Sequence, residues 1–441
     1  MEKFKVAIIG GYGGMGQIFT RLFKEEGLEV VITGPTQAKG EKAAEEIGVE
    51  YILDNAMAVK DADIVVVTVP IDKTIAIIKE IGPHIKSGAL FMDLTSVKEE
   101  PCKAMAEFSN KNVEVIGTHP IFGPRVPDIS GQVIVITPVR GKKWISWLKN
   151  LLEKHKARVF ESTPEEHDKT MAVVQGLTHF AYISIGKTLD KLDFDIKKSK
   201  NFSSPIYELM LDMIGRIIGQ DPKLYAEIQM ENPNVKDIRD IFLETANELN
   251  KIVKERNEKE FIKIMAESAK HFGDVERAMG RSDKAIASLV SELEKLNSLI
   301  GKEVCLQHIY SGQRHLGIIE SVTPEEVTLN DSGKLFSLKL SNVQILPNRE
   351  RINFKIQKFG TTTRDFSVIL DSNADENFLA ELIKEHDENI VSTKIKDVYK
   401  SQKLGDDKKS VCFGIEMINN NVKAIELKAK EFFEKISGKL R

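Results

Sequence analysis

Residues 4–16 read "FKVAIIGGYGGMG", and this stretch decides the fold of the first part of the chain. A short apolar run precedes Gly11, Gly13 and Gly16, which have the spacing Gly-x-Gly-x-x-Gly. Between a strand and a helix, such glycines permit a tight turn, a close approach of a pyrophosphate, and close helix–strand packing. The N-terminus of the helix adds donors for the anion. The stretch therefore predicts a dinucleotide-binding turn followed by a helix over residues 14–26.

The same pattern continues to about residue 140. Short runs rich in Val and Ile ("LEVVITG", "DIVVVTVP", "ALFMDLT", "VEVIGTHP", "QVIVITP") alternate with amphipathic segments. Continuous apolar runs are typical of parallel strands that helices cover on both faces. Repeated βαβ units predict an α/β fold, with a Rossmann-type doubly wound parallel sheet over residues 1–161.

The coenzyme is expected to lie on the glycine-rich turn and beside the ends of two neighbouring strands. NAD sites usually carry an acidic residue at the end of the second strand. The segment "VITGPTQAK" (31–39) has none, and it has no arginine to clamp a 2′-phosphate. NADP is therefore slightly favoured, and NAD stays open. The expected cofactor-binding residues are Gly11, Tyr12, Gly13, Gly14, Met15, Gly16, Thr33, Thr36, Val69 and Pro70.

The strand pattern stops after residue 161. Long amphipathic segments at 204–219, 234–256, 258–278 and 281–299 predict an all-α substrate and dimerisation domain over 162–298. Helices of this length often pack against a second copy, so a homodimer is expected.

Two smaller domains are predicted in the remaining chain. Five short alternating runs over residues 299–350 are typical of a small β-barrel of the SH3 or Sm type. Residues 351–441 alternate strand, helix, two strands and helix, which predicts a ferredoxin-like α+β domain.

Composition excludes several classes of function. The net charge of the 441 residues is −3, and residues 300–441 hold 22 Lys and Arg against 21 Asp and Glu, so general attraction for nucleic acid is not expected. The tail also contains a local cluster of lysines, which we interpret as a solvated face rather than a nucleic-acid-binding patch. Its members are Lys394, Lys396, Lys400, Lys403, Lys408 and Lys409.

The cysteines and apolar runs bear on location and metals. Cys102, Cys305 and Cys412 are scattered without a Cys-x-x-Cys pair, which fits a reducing cytoplasm and argues against a zinc site; no metal is expected. The opening "MEKFKVAIIGG" is too short an apolar run for a signal peptide. No run approaches the roughly 18 apolar residues that a membrane span needs.

A candidate catalytic group lies in "GTHPIFGP" (117–124). The prolines stiffen this stretch, so His119 is expected on a rigid loop near the carboxyl ends of the strands. "DLTSVK" (93–98) ends at the same edge and contains Ser96. A histidine can take a hydroxyl proton while the carbon that bears the hydroxyl releases hydride to nicotinamide. Ser96 is expected to hold the histidine or a substrate oxygen, or to cap a helix that begins near residue 97.

Over residues 4–285 the chain resembles the prephenate/arogenate dehydrogenase family of tyrosine biosynthesis. The motifs that carry this resemblance are "GGYGGMG", "DLTSVK", "GTHPIFGP", "HDKTMAVVQGLTHF" and "GRIIGQDPKLYAEI". The resemblance implies NAD(P)-dependent oxidative decarboxylation of prephenate. In that reaction the ring hydroxyl loses its proton, the same ring carbon loses hydride, carbon dioxide leaves, and the ring becomes aromatic.

The resemblance also assigns roles to single residues. His119 corresponds to the catalytic histidine of the family and Ser96 to the serine beside it. Arg216 corresponds to the arginine that binds a substrate carboxylate. Two positions depart from the family. Gly176 replaces the first histidine of a His-x-x-His pair and leaves His179, and Tyr225 stands where relatives often have tryptophan.

Three further expectations follow from the motifs. His167 and Asp168 match a common His-Asp pair, which we interpret as a cap and a brace at the domain junction. No acidic residue is assigned to a substrate ammonium, which mildly favours prephenate over arogenate. A β-hydroxyacid dehydrogenase would leave "GTHPIFGP" unexplained.

Residues 351–441 resemble the ferredoxin-fold anticodon-binding domain of phenylalanyl-tRNA synthetases. The matching elements are Arg364-Asp365, Asp397-Val398-Tyr399 and "KKSVCF". Three roles stay open for this tail: assembly, binding of an amino-acid effector, and tRNA binding. Assembly or regulation ranks above tRNA binding, and an RNA-binding sensor protein is the alternative to an enzyme.

Overall fold

The computed structural model describes residues 4–441. The chain divides into two compact units, which meet between Ile286 and Ala287. No helix in the described range is both long and apolar enough to cross a membrane.

The first unit begins with an eight-stranded sheet of order β3-β2-β1-β4-β5-β6-β7-β8. Its strands are β1 (Lys5–Ile9), β2 (Glu29–Ile32), β3 (Glu50–Tyr51), β4 (Ile64–Val67), β5 (Leu90–Asp93), β6 (Glu114–Pro120), β7 (Val133–Arg140) and β8 (Arg158–Glu161). Its helices are α1 (Gly14–Glu25), α2 (Gln37–Ile47), α3 (Asn55–Val59), α4 (Ile71–Ile81), α5 (Glu99–Phe108) and α6 (Lys143–Lys154).

Helices cover this sheet on both faces, which confirms the predicted Rossmann-type architecture. Val6 and Ile8 of β1 belong to one buried cluster, whereas Ala7 and Ile9 belong to a second. Successive side chains of a strand point to opposite faces, so both faces must be apolar. This is why the strands form nearly continuous apolar runs.

The connection between β6 and β7 differs from the parallel pattern of the strands before it. β7 runs antiparallel to β6, with His119 opposite Val135, and β8 then runs parallel to β7. The segment between β6 and β7 contains no helix, so the chain cannot cross over to a parallel position. The expectation that His119 lies on a loop is therefore wrong: it is the penultimate residue of β6, because the position before a proline favours extended backbone.

The helical domain of the first unit follows β8, as predicted. Its helices are α7 (Pro164–Met171), α8 (Thr178–Lys191), α9 (Ile196–Ser199), α10 (Pro205–Ile218), α11 (Pro222–Glu231), α12 (Val235–Lys254), α13 (Glu258–Phe272) and α14 (Val275–Ser298), of which α14 continues into the second unit. Residues Ala172–Leu177 form a π-helical segment between α7 and α8. The break between α13 and α14 falls at Gly273, earlier than expected, because its φ of +85° suits glycine.

The second unit contains two antiparallel sheets. The first has the order β12-β11-β10-β9-β13, and its strands are β9 (Glu303–His308), β10 (Arg314–Val322), β11 (Glu326–Asp331), β12 (Lys334–Lys339) and β13 (Val343–Ile345). These are the five predicted strands. Closure of this sheet into a barrel stays a prediction.

The second sheet has the order β15-β16-β14-β17 and supports the ferredoxin-like domain. Its elements are β14 (Thr361–Asp371), α16 (Glu376–His386), β15 (Ile390–Tyr399), β16 (Lys408–Ile418), α17 (Val422–Lys435) and β17 (Lys439–Leu440). An unpredicted helix, α15 (Asn348–Phe359), precedes them, and the proposed boundary at residue 350 falls inside it.

Two cations of α15 are buried between the two sheets of this unit. The Lys355 ammonium is 1% exposed and donates to Glu303 Oε1 and Asn389 Oδ1, both at 2.5 Å. Arg351 contacts Glu303 Oε1 at 3.0 Å and also pairs with Glu388. A buried cation is tolerated only when carboxylates compensate for its lost hydration. Glu303 therefore joins β9 to the ferredoxin-like domain.

Neutralising Glu303 should destabilise the second unit. We expect Glu303→Gln to lower its free energy of unfolding by about 2–3 kcal/mol, because the buried Lys355 loses its compensating charge. Asp331→Asn is the matched control, since Asp331 pairs at 3.4 Å with the partly exposed Lys358 and should cost under about 0.5 kcal/mol. Hydrogen exchange of the β9 and β16 amides in the full chain measures both values. Equal effects would contradict the interpretation.

Candidate active site

The glycine-rich turn between β1 and α1 fits a dinucleotide. A Cβ on Gly11 would lie 2.6 Å from the Ile32 side chain, and one on Gly16 would lie 2.7 Å from the Gly10 carbonyl. Packing therefore requires glycine at both positions. Gly13 is the N-cap of α1, and no side chain caps this helix. Its first N–H groups remain available to a phosphate, as dinucleotide binding requires.

Residues at the neighbouring strand ends complete this region. The Tyr12 ring covers Gly34, where an added Cβ would lie 2.2 Å from the ring. A Cβ on Gly10 would lie 3.0 Å from the Val69 side chain. Pro70 is the N-cap residue of α4. Met15 packs against the core.

Two threonines of the expected coenzyme site differ in their surroundings. The Thr33 hydroxyl is buried and donates to Asn55 Oδ1 at 2.7 Å, so the protein itself engages it. Thr36 is exposed at the N-cap of α2 and makes no side-chain cap there. Thr36 is thus the more available of the two for a ribose or a 2′-phosphate.

The glycine-rich turn contacts the segment that follows His119. A Cβ on Gly14 would lie 2.6 Å from Pro124 of "GTHPIFGP". The two motifs therefore meet at one edge of the sheet, as the sequence predicts for strand ends of this fold.

His119 is 3% exposed and contacts two residues of the helical domain. Its Nδ1 lies 2.9 Å from Nε2 of His167, and its Nε2 lies 3.4 Å from the amide nitrogen of Gln175. Burial, and secondarily electrostatic interactions with the neighbouring His167 and Lys98, hold the pKa of His119 well below its usual value. The imidazole is therefore neutral at physiological pH and can accept a proton.

The carboxylate of Asp168 joins the helical domain to the nucleotide-binding sheet. It accepts the backbone N–H groups of Lys98 at 2.8 Å and Glu99 at 2.9 Å, at the beginning of α5. It also lies 2.7 Å from Nδ1 of His167. This confirms the expected cap and brace. The expectation that Ser96 caps this helix is wrong, because α5 begins at Glu99 and Asp168 supplies the acceptor.

Ser96 is half-buried. His167, rather than Ser96, contacts His119. A contact of Ser96 with substrate stays a prediction.

A buried ion pair below His119 was not anticipated. The Lys98 ammonium pairs with the Asp93 carboxylate and donates to the Thr118 carbonyl at 2.9 Å. It thereby connects β5 to the residue before His119. The only signal in the sequence is an Asp and a Lys within one short loop motif, which does not reveal that both are buried.

The three expected substrate-binding residues lie in the helical domain. The rings of His179 and Tyr225 are 4.6 Å apart. Burial raises the pKa of Tyr225, and the nearby charge of Arg216 opposes this rise. Burial also lowers the pKa of His179, which keeps it neutral. His179 follows Gln175, the residue that contacts His119, by four positions in the chain.

Among residues 4–441, no cluster of three or more His, Cys, Asp or Glu side chains could hold a metal ion. Three lysines of the proposed cluster in the tail form ion pairs within the ferredoxin-like domain: Lys396 with Asp365, Lys408 with Asp371, and Lys409 with Glu376.

Comparisons with protein families agree with this geometry. The model described as "Prephenate dehydrogenase, nucleotide-binding domain" matches residues 19–161, and its "dimerization domain" counterpart matches residues 163–267. The model "Ferredoxin-fold anticodon binding domain" matches residues 357–441.

Individual relatives support the same assignment. A "Probable arogenate/prephenate dehydrogenase" of Methanocaldococcus jannaschii is 42% identical over 99% of this chain and 98% of its own length. A "T-protein" of Haemophilus influenzae is 30% identical over 66% of this chain and 73% of its own. The solved Aquifex aeolicus prephenate dehydrogenase, in complex with hydroxyphenyl propionate and NAD+, has a TM-score of 0.53 and 22% identity, covering 62% of this chain and 99% of its own, which shows a shared fold.

Removing one acceptor from the Asp168 carboxylate should loosen the domain junction. Asp168→Asn replaces an oxygen with a donor that faces other donors, so we expect the free energy of unfolding of the first unit to fall by about 2–3 kcal/mol. Asp221→Asn is the control. Asp221 caps the exposed start of α11 through the Lys223 N–H, a role that Asn performs equally well. Urea unfolding monitored by amide exchange in α5 compares the variants. A similar loss in both would mean that the buried cap contributes little.

Proposed function

The chain belongs to the prephenate dehydrogenase family of oxidoreductases, and we propose that it oxidatively decarboxylates prephenate to 4-hydroxyphenylpyruvate. A nicotinamide dinucleotide is the coenzyme expected for this family, and the glycine-rich turn suits it. Arogenate is the second candidate substrate. It differs in carrying an amino group where prephenate carries a keto group.

The neutral, buried His119 is the observation that carries this proposal. A group with a lowered pKa is unprotonated at neutral pH and can accept the proton of a ring hydroxyl. The bound nicotinamide would take the hydride from the carbon that carries this hydroxyl. His119 lies on a strand beside the glycine-rich turn, so its ring is held rather than free to rotate.

The carboxylates of the substrate require a cation. Arg216 is exposed on α10, and its guanidinium offers a planar pair of donors to a carboxylate. His179 and Tyr225 lie beside it, and we assign them to the same end of the substrate. The Nδ1 atom of His179 is buried and has no partner within residues 4–441, so it is available to a ligand.

The charges near Tyr225 favour prephenate over arogenate. The ammonium of arogenate needs an acidic partner. Glu227, two residues from Tyr225, is 6% exposed and already accepts the Ile71 N–H at 2.9 Å and contacts Lys223 Nζ at 3.2 Å. A carboxylate that caps a helix in this way is not free to pair with a substrate.

The choice between NAD and NADP is open. No acidic residue follows β2, and the exposed Thr36 and Lys39 begin α2. A 2′-phosphate would meet a helix N-terminus and a cation there, which supports NADP.

We also infer a homodimer formed by the helical domain. Large apolar side chains are exposed on it, including Phe202 at 86% and Met230 at 75%. Apolar surface of this kind is commonly buried by a second copy. For residues 351–441, the internal ion pairs of the lysine cluster favour assembly or an amino-acid effector over RNA.

Absorbance of the reduced nicotinamide tests the reaction directly. Prephenate and arogenate are each tested with NAD and with NADP, and His119→Asn serves as the control in every pairing. We expect turnover with prephenate and a loss of about 10³-fold in kcat in His119→Asn, with KM changed little. Comparable turnover in both proteins would contradict the role of His119. Turnover with arogenate alone would replace the proposed substrate.

Arg216→Ala tests the carboxylate contact. Loss of a charge-assisted pair of hydrogen bonds should raise KM for prephenate by about 10–100-fold, with a smaller effect on kcat. Arg281→Ala, which removes another exposed arginine of the first unit, should leave both constants unchanged. An unaltered KM in Arg216→Ala would exclude the contact.

A further inference from the structure

We propose that His167 is a positioning residue that fixes the tautomer of His119, with the proton on Nδ1 and the lone pair on Nε2. His167 does not touch the substrate in this scheme. Its connection to Asp168 makes a buried chain of three side chains, Asp168–His167–His119. The consequence for catalysis rests on the proposed role of His119 as the base, whereas the tautomer itself does not.

The proton assignment begins at Asp168. Its ionised carboxylate can only accept hydrogen bonds, and it already accepts the backbone N–H groups of Lys98 and Glu99. Nδ1 of His167, at 2.7 Å from the same carboxylate, must therefore be a donor. A neutral His167 then carries its lone pair on Nε2.

The second link carries this assignment to His119. Only one proton fits in the 2.9 Å between Nε2 of His167 and Nδ1 of His119. Because Nε2 of a neutral His167 is an acceptor, the proton belongs to Nδ1 of His119. The remaining ring nitrogen of His119 then holds the lone pair that a base requires.

The surroundings of His119 Nε2 agree with this. Gln175 presents its amide nitrogen, which is only a donor, at 3.4 Å. The opposite tautomer would place an N–H against this donor. It would also require a second proton on His167, whose side chain is fully buried. The two facing donors and the buried charge both cost free energy, so they disfavour the opposite tautomer.

The chain also explains how a buried base tolerates a new charge. When His119 takes a proton, its Nδ1–H becomes a charge-assisted donor to His167. The Asp168 carboxylate holds His167 from the other side, and two main-chain N–H groups hold Asp168 in turn. A neutral imidazole between the base and the carboxylate thus keeps the ring oriented. A direct carboxylate partner would instead raise the pKa of His119.

Two substitutions at His167 separate orientation from packing. His167→Leu removes the atom that accepts the hydrogen bond from His119 Nδ1. In His167→Gln, the Oε1 atom of the glutamine can accept that hydrogen bond instead. Histidine labelled with ¹⁵N reports which ring nitrogen carries the proton, and His119→Asn identifies the signals of His119. His84→Gln, an exposed histidine, is the control.

We expect His119 of the unaltered protein to be protonated on Nδ1 and unprotonated on Nε2. His167→Leu should yield a mixture of tautomers and lower kcat by about 10²–10³-fold with KM within a factor of two. His167→Gln should restore the single tautomer and recover at least about tenfold in kcat.

Several results would overturn the proposal. A proton on Nε2 of His119 in the unaltered protein is one, and a single unchanged tautomer in His167→Leu is another. If His167→Leu does not fold, His167→Gln decides: it must keep the Nδ1–H tautomer. Absence of turnover in all four coenzyme and substrate pairings, with the Nδ1–H tautomer present, would refute the proposed reaction while supporting the positioning by His167.

Discussion

The carboxylate of Asp168 is the group on which the arrangement of the active site depends. It comes from the helical domain and accepts the first backbone N–H groups of α5, which belongs to the nucleotide-binding domain. Glu227 does the same for α4 through the Ile71 N–H. Helix N-termini need acceptors, and when an acceptor comes from another domain the two domains become fixed. The helical domain is therefore attached at two adjacent strand ends, beside the glycine-rich turn.

This attachment buries His119 and so determines its chemistry. Beneath the helical domain it is 3% exposed, and burial is the first cause of its lowered pKa. The same contact that removes water also brings His167 to Nδ1. The lowered pKa of His119 and its contact with His167 thus have one origin, the docking of α7 on α5.

Local patterns in the sequence predicted the positions of secondary-structure elements, but not the contacts between distant residues. Apolar runs located β1, β2, β4 and β5, and the Gly-x-Gly-x-x-Gly spacing located the start of α1 at Gly14. The sequence predicted a cap and a brace at His167 and Asp168, but it did not predict which helix Asp168 caps, 70 residues earlier in the chain, or that His119 belongs to a strand. Local patterns state which residues are apolar, but not which distant backbone group a carboxylate will meet. Ser96 was misassigned as a cap for this reason.

In the second unit, too, carboxylates compensate for the charges of buried or paired cations. Lys355 and Arg351 are buried against Glu303, and Lys396, Lys408 and Lys409 pair with carboxylates of their own domain. Recognition of a nucleic-acid backbone depends on protein cations that neutralise phosphates and displace the counterions condensed on the nucleic acid. A cation that is already paired within its domain must give up its carboxylate partner to do so. These pairs are the basis of the proposal that the tail serves assembly or an amino-acid effector rather than RNA.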